Sequence, residues 1–356
     1  MVDRVTTTTT SPGSRTAPEA GPPGRRSVRR VVFLLIALGA LVALCVLSIA
    51  VGSRQIPLDD VFQAVFNPTG TEVDAVVRNL RVPRTALGVL VGIALGLAGA
   101  VMQALTRNPL ADPGLLGISA GATFGVVVSI AVLGLASLHG YIWFAFAGAA
   151  VASIVVYLLG GLGRDGATPV KLALAGVAVT FLLHSFTSAL VLTDPQALNR
   201  YRFWSAGSLA GQSIDIVLQV LPFLLVGAVL AVSSAPALNS LALGDDVATS
   251  LGHRLKLVRL QGMLAITLLT GGAVAVAGPI VFVGLVVPHI ARIIAGPDHR
   301  WLLPNAIVLA PCLLLAADVI GRVLQRPEEI QIGIIVVFLG APFFIMLVRR
   351  SRLAEL

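Results

Sequence analysis

Ten apolar runs govern what this chain can fold into; they lie at 31–51, 82–104, 114–135, 141–161, 169–192, 214–232, 257–277, 279–296, 301–317 and 329–348. Most are close to the ~20 residues that an α-helix needs to cross the hydrocarbon of a bilayer. A segment in that medium must satisfy its own backbone hydrogen bonds, which a helix does alone. The runs therefore predict an all-α, polytopic membrane protein of about ten transmembrane helices. The narrowest division falls at Gly278 and Pro279, between the seventh and eighth runs. Of 356 residues, only 12% are charged, and the segments between runs are too short to hold a soluble catalytic domain.

An even number of crossings puts both termini on one side. With the termini inside, 17 of the 25 Lys and Arg residues lie on the inner side and 8 on the outer, so the positive-inside rule predicts cytosolic termini. Topology thus accounts for the net charge of +8, and no basic patch interleaved with aromatic residues points to nucleic acid. Residues 1–28 are rich in Thr, Pro, Gly and Arg, with little to bury, and read as a disordered cytosolic tail. That leaves 29–356 as the membrane domain. The run from Val31 to Val51 is too long for the apolar part of a cleaved signal peptide and reads as the first membrane helix.

An ion-coupled transporter needs ionisable groups near the membrane midplane. The runs hold one titratable group deep inside, His184, which reads as a neutral histidine bonded to a neighbouring helix in preference to a proton relay. The phosphate-cradling pattern G-x-x-x-x-G-K-[ST] is missing, since the two lysines, Lys171 and Lys256, follow no such glycines. Paired carboxylates, a metal cluster or an activated nucleophile are likewise missing beside the runs, so the chain reads as no enzyme. Energy for uphill movement must then come from a separate subunit. Cys45 and Cys312 read as small packing residues, as do the four-spaced Gly88, Gly92, Gly96 and Gly117, Gly121, Gly125.

The polar segments say more. Asn108-Pro-Leu-Ala-Asp-Pro113 is a breaker cluster that predicts a tight turn. Leu241 to Gly252 predicts a short amphipathic helix on the inner side, with Asp245 and Asp246 at its start. Interfacial helices favour Lys and Arg on their polar face, so two aspartates suit a protein partner better than lipid. On the outer side, Arg81, Arg84 and Arg322 stand at helix ends where arginine should be scarce. Snorkelling or an internal pair, such as Arg322 with Asp318 four residues earlier, is one explanation. Charge-assisted docking of an acidic partner is the other.

Together these segments resemble the FecCD family of ATP-binding-cassette importer permeases, the iron(III)-siderophore, haem and cobalamin class. The matching stretches are Arg81-Val-Pro-Arg84, Gln103 through Asn108-Pro-Leu-Ala-Asp-Pro-Gly-Leu-Leu-Gly117, Leu243-Gly-Asp-Asp246, Gly284-Leu-Val-Val-Pro-His-Ile-Ala-Arg292, Asp298-His-Arg300, Ala317-Asp318 with Arg322, and Gly340-Ala-Pro-Phe343. The likeness runs from about residue 30 to 350 in the expected order. One departure is Gln331, where the family usually has proline, which should loosen the start of the last run.

The resemblance implies a type II importer permease bundle in a bacterial plasma membrane, paired with an identical or similar permease. Two cytosolic ATPase subunits, which bind ATP and Mg, and an extracytoplasmic binding protein complete that machine, and this chain itself binds no cofactor. The resemblance assigns Leu243, Gly244, Asp245, Asp246 and Ala248 to the ATPase-coupling loop, and Arg81, Arg84 and Arg322 to binding-protein docking. It makes Leu110 and Thr168 candidates for a cytosolic gate. An iron(III)-siderophore is the implied cargo, moved by alternating access; haem, cobalamin and, in a different class, ion-coupled transport are the alternatives.

Overall fold

The computed structural model describes residues 23–353 apart from 136, 163–167 and 194; the predicted tail lies mostly outside these residues. Among the described residues there is no strand. Helix α1 (Pro23–Ala50) is followed by two short helices, α2 (Leu58–Phe66) and α3 (Glu72–Val76). A π turn, Val77–Arg81, leads directly into α4 (Val82–Thr106). Pro83 does not interrupt this continuous helix; it sits where the π turn, with the Val82 N–H bonded to the Val77 carbonyl oxygen, gives way to α-helix. Then come α5 (Ile118–Ala131), α6 (Leu138–Gly160), α7 (Pro169–Thr193), α8 (Pro195–Ser205) and α9 (Ile214–Ser233). Two short helices, α10 (Ala235–Ala242) and α11 (Asp245–Ser250), precede α12 (Leu255–Ala277), α13 (Val283–Ala295), α14 (His299–Leu324) and α15 (Ile332–Leu353).

Each apolar run coincides with one of these helices. Among the described residues, seven helices are long and apolar enough to cross a membrane, and the apolar parts of α5, α13 and α15 are shorter. At 1.5 Å per residue, α5 and α13 reach only ~20 Å of a hydrocarbon layer ~30 Å thick. Irregular backbone precedes both helices, and most of its described residues are buried or half-buried. A turn of 3₁₀ helix, Pro113–Leu116, leads into α5. The extended link before α13 starts at Gly278, with φ of 70°, and ends at Phe282, with φ of 68°. Helix α15 begins at Ile332 even though proline is absent from position 331.

The centre of the bundle is α4, whose most apolar window is 78% buried, whereas that of α1 is 11% buried. In lipid no hydrophobic force draws helices together, so close backbone approach must supply the packing. The glycines do this. Gly92 lies against the backbone of Pro311 in α14, and Gly96 against Ala306 and Ala310. Gly99 meets the backbone of Gly284 in α13. Gly121 and Gly125 of α5 face Gly148 and Phe144 of α6 in the same way. His184, expected to bond to a neighbouring helix, is instead exposed on α7.

Candidate functional site

Two polar clusters sit at opposite ends of the bundle. At the end where α1 terminates, the π turn, α4 and α14 bring three arginines together. Arg84 Nε lies 3.1 Å from both carboxylate oxygens of Asp318, and its Nη2 is 2.7 Å from Oδ1. Its remaining nitrogen, Nη1, is 2.6 Å from Glu329 Oε2. One turn after Asp318, Arg322 pairs with the other oxygen, Oδ2, at 2.7 Å. Arg322 also donates to the carbonyl oxygens of Ser48 and Val51 at 2.7 and 2.9 Å. Arg81 donates to the carbonyl oxygens of Ile49, Ala50 and Arg54 at 2.7–2.9 Å. These carbonyls include the last acceptors of α1, which no further turn of helix satisfies, and a cation there also complements the helix dipole.

The three arginines that the charge count assigned to outer helix ends are therefore internally engaged. Arg322 is 1% exposed and pairs with Asp318, as the internal reading of its spacing required. Arg81 is buried as well, and Arg84 nearly so. A cavity of about 370 Å³ opens over them, lined by Arg54, Arg81, Arg84, Arg322 and Glu329. Burial pushes the Glu329 carboxyl up, but the Arg84 guanidinium, with smaller help from the Ser53 hydroxyl, outweighs it and holds the group below the ordinary carboxylate range. Three guanidiniums face two carboxylates here, so the network carries one unneutralised positive charge.

At the other end, α11 starts after Gly244 with Asp245 and Asp246 in its first turn, as the sequence predicted. The two aspartates face different ways. Asp245 is gripped by Arg107, the left-handed residue that ends α4, and by Arg259 of α12 at 2.8 Å. Arg107 also donates to the Leu241 carbonyl oxygen at 2.9 Å. Ala248 is buried, so it seats α11 on its own chain and cannot be a surface contact. Leu243, Val247 and Leu251, four residues apart, are exposed together with Asp246. Helix α10 is tied down as well. Asn239 donates to Asp298 at 2.6 Å and accepts from the backbone N–H of His299 at 2.9 Å. Burial raises the Asp298 carboxyl, yet the Arg300 backbone N–H and the Asn239 amide hold it below the ordinary range.

Of the two gate candidates, Leu110 is half-buried in the turn that Asn108 and Asp112 close, each through a side-chain oxygen accepting a backbone N–H. The Thr168 hydroxyl oxygen accepts from the Lys171 backbone N–H at 3.4 Å, at the start of α7. Sequence reasoning assigned no role to Glu329, Arg107, Arg259 or Asn239. Arg107 lies inside a recognised motif, Asn239 and Glu329 lie beside one and Arg259 stands 13 residues past Asp246, but the partner of each is 14 or more positions away along the chain.

The chain matches the FecCD transport family over residues 40–350. It is 45% identical to the ferric enterobactin transport system permease protein FepD of Escherichia coli (strain K12), with 92% of this chain and 98% of that protein covered. It is 40% identical to the iron(3+)-hydroxamate import permease FhuB of Bacillus subtilis (strain 168), covering 95% of this chain and 88% of that one. Identity to the hemin transport permease HmuU of Yersinia pestis is 38%, over 88% and 96% of the two chains. Among solved structures, a metal-chelate type ABC transporter in an inward-facing conformation superposes with a TM-score of 0.78 at 28% identity, covering 90% of this chain and 99% of that one.

Proposed function

Because the chain belongs to the FecCD transport family, we propose that it is the membrane permease of an ATP-driven importer that brings iron(III)-siderophore complexes into the cytoplasm. The observation that carries this reading is likeness along the whole permease, 98% of FepD at 45% identity, since ferric enterobactin is that protein's named cargo. ATP and Mg belong to two separate cytosolic ATPase subunits, and this chain does no covalent chemistry. A second permease, identical or similar, completes the path, and the positive-inside count puts both termini in the cytosol.

In this reading the exposed Leu243, Val247, Leu251 and Asp246 meet the ATPase. Asp245 does not; through Arg107 and Arg259 it passes the motion of α11 into α4 and α12. The cavity over Arg81, Arg84 and Arg322 receives an acidic side chain of the binding protein, and its surplus positive charge favours that partner. Leu110 and Thr168 gate the cytosolic end during alternating access.

The test is uptake of radio-iron, supplied as ferric catecholate and as ferric hydroxamate, in cells with and without this gene, before and after ATP depletion. ATP-dependent uptake lost on deletion supports the reading and identifies the chelator class. Unchanged uptake of both overturns the siderophore reading and turns attention to hemin, the cargo named for the HmuU relative.

A further inference from the structure

We infer that Glu329 is a built-in placeholder for the partner's carboxylate: it occupies Arg84 while the outer face is empty, and docking exchanges one carboxylate for the other. This rests on the docking reading above and adds a competing group within the chain.

The two acids on Arg84 are not equivalent. Asp318 takes the Nε and Nη2 edge, is shared with Arg322 and is 1% exposed at its side chain. It is a fixed part of the α4–α14 seam. Glu329 takes only Nη1, its side chain is 27% exposed, and it lines the open cavity. It belongs to the link between α14 and α15, outside both helices. The Ile330 N–H is bonded to the Gly321 carbonyl oxygen at 3.1 Å, which anchors the backbone beside it. Rotation of the Glu329 side chain is therefore enough to free Nη1, without unwinding a helix.

Charge explains why a placeholder is present and why it can be displaced. Arg84 is nearly buried and shares Asp318 with Arg322, so without a second acid two buried guanidiniums would rest on one carboxylate with Nη1 unpaired, which is disfavoured. Exchanging carboxylate for carboxylate never leaves Nη1 bare, so the partner can arrive and depart. Arg81 bonds only to carbonyl oxygens among the hydrogen bonds it donates, and the surplus charge lets the second carboxylate enter before the first has left. Competition from Glu329 lowers affinity and speeds release, as a carrier that must dock and leave in every cycle requires.

The experiment measures docking of the binding protein required for uptake, with the complete transporter in lipid nanodiscs, for wild type, Glu329→Gln and Arg84→Glu. Glutamine keeps the shape and a hydrogen-bonding oxygen but removes the competing charge, so docking should tighten about tenfold, mostly through slower release. A purely structural Glu329 would give weaker docking, and weaker or unchanged docking overturns the exchange. If Arg84→Glu weakens docking while Glu329→Gln does not tighten it, the docking reading stands and the exchange falls. If Arg84→Glu has no effect, the docking reading itself fails. Should Glu329→Gln not assemble, Glu329→Asp decides the matter: it keeps the acid but draws it back from Arg84 Nη1, so docking should again tighten, and unchanged or weaker docking would refute displacement.

Discussion

Arg84 and Asp318, 234 positions apart, meet side-on across the seam between α4 and α14, with guanidinium nitrogens 2.7–3.1 Å from the carboxylate. Asp318 also neutralises Arg322, so one carboxylate holds two buried cations. Replacing Asp318 with Asn should destabilise the protein by about 3–5 kcal/mol, the usual effect of leaving a buried charge unpaired. Melting of the detergent-solubilised protein would show it as a lowered midpoint. An unchanged midpoint would mean that the carboxylate does not hold the seam.

Gly99 offers a test of the packing. A Cβ there would lie 1.8 Å from the Gly284 carbonyl oxygen, which is backbone and cannot turn aside. Gly99→Ala should force α4 and α13 apart and destabilise by at least 1–3 kcal/mol, roughly the effect of overpacking. Gly262→Ala meets only the mobile end of Leu105 and should fold nearly as well as wild type. Equal melting temperatures for the two variants would contradict the close approach.

The helices were legible because hydropathy is a local property, and each run needed no partner to be recognised. What periodicity could not supply was the direction of polar side chains at helix ends. Asp245 and Asp246 are neighbours with the same chemistry, yet a rotation of about 100° along a helix sends one to Arg107 and Arg259 and the other outward. Arg322 was readable because Asp318 is four residues away. Arg81 was not, since its acceptors are carbonyl oxygens of another helix and the loop after it, and every residue carries a carbonyl.

That difference between the aspartates is testable. Asp246→Lys changes an exposed charge beside Leu243 and Val247; it should leave the melting midpoint in place and reduce copurification of the ATPase subunits severalfold. Asp245→Asn removes the carboxylate shared by Arg107 and Arg259. It should retain the ATPase subunits while lowering uptake per ATP hydrolysed by about tenfold, or 1.4 kcal/mol of lost coupling. If both substitutions act alike, the division of roles is wrong.

Glu329 sets a pH dependence. Desolvation raises its carboxyl, but Arg84, then Ser53 and Arg322, outweigh this and leave it below the ordinary value; Arg81 also faces it across the cavity. A lowered native pKa means that the folded protein holds this proton more weakly than the unfolded chain. The stabilising contribution is then complete above the unfolded value of about 4.3 and fades as pH falls from there through the native value. The difference in melting midpoint between wild type and Glu329→Gln should stay constant from about pH 8 to 5.5 and shrink in stronger acid. Loss of that difference near neutrality would assign the effect to another group.

Asn239 gives the most specific test of how motion crosses the inner end. Its amide is used at both atoms: Nδ2 donates to Asp298, and Oδ1 accepts from the backbone N–H of His299 at the start of α14 and contacts the ring Nδ1 at 2.8 Å. Helix α10 adjoins α11 in sequence and packs on α14, so this one side chain ties the segment we propose to face the ATPase to the helix that carries Asp318 and Arg322. Asn239→Asp removes the donor and sets a second carboxylate against Asp298, whereas Asn239→Leu leaves polar groups on α14 without their partner; each should destabilise by about 1–3 kcal/mol. Because the exposed face of α11 is untouched, both variants should still bind the ATPase, and hydrolysis should continue while uptake falls. Loss of the ATPase from Asn239→Leu would show that Asn239 only shapes the docking surface, and normal uptake would show that motion reaches α14 by another route.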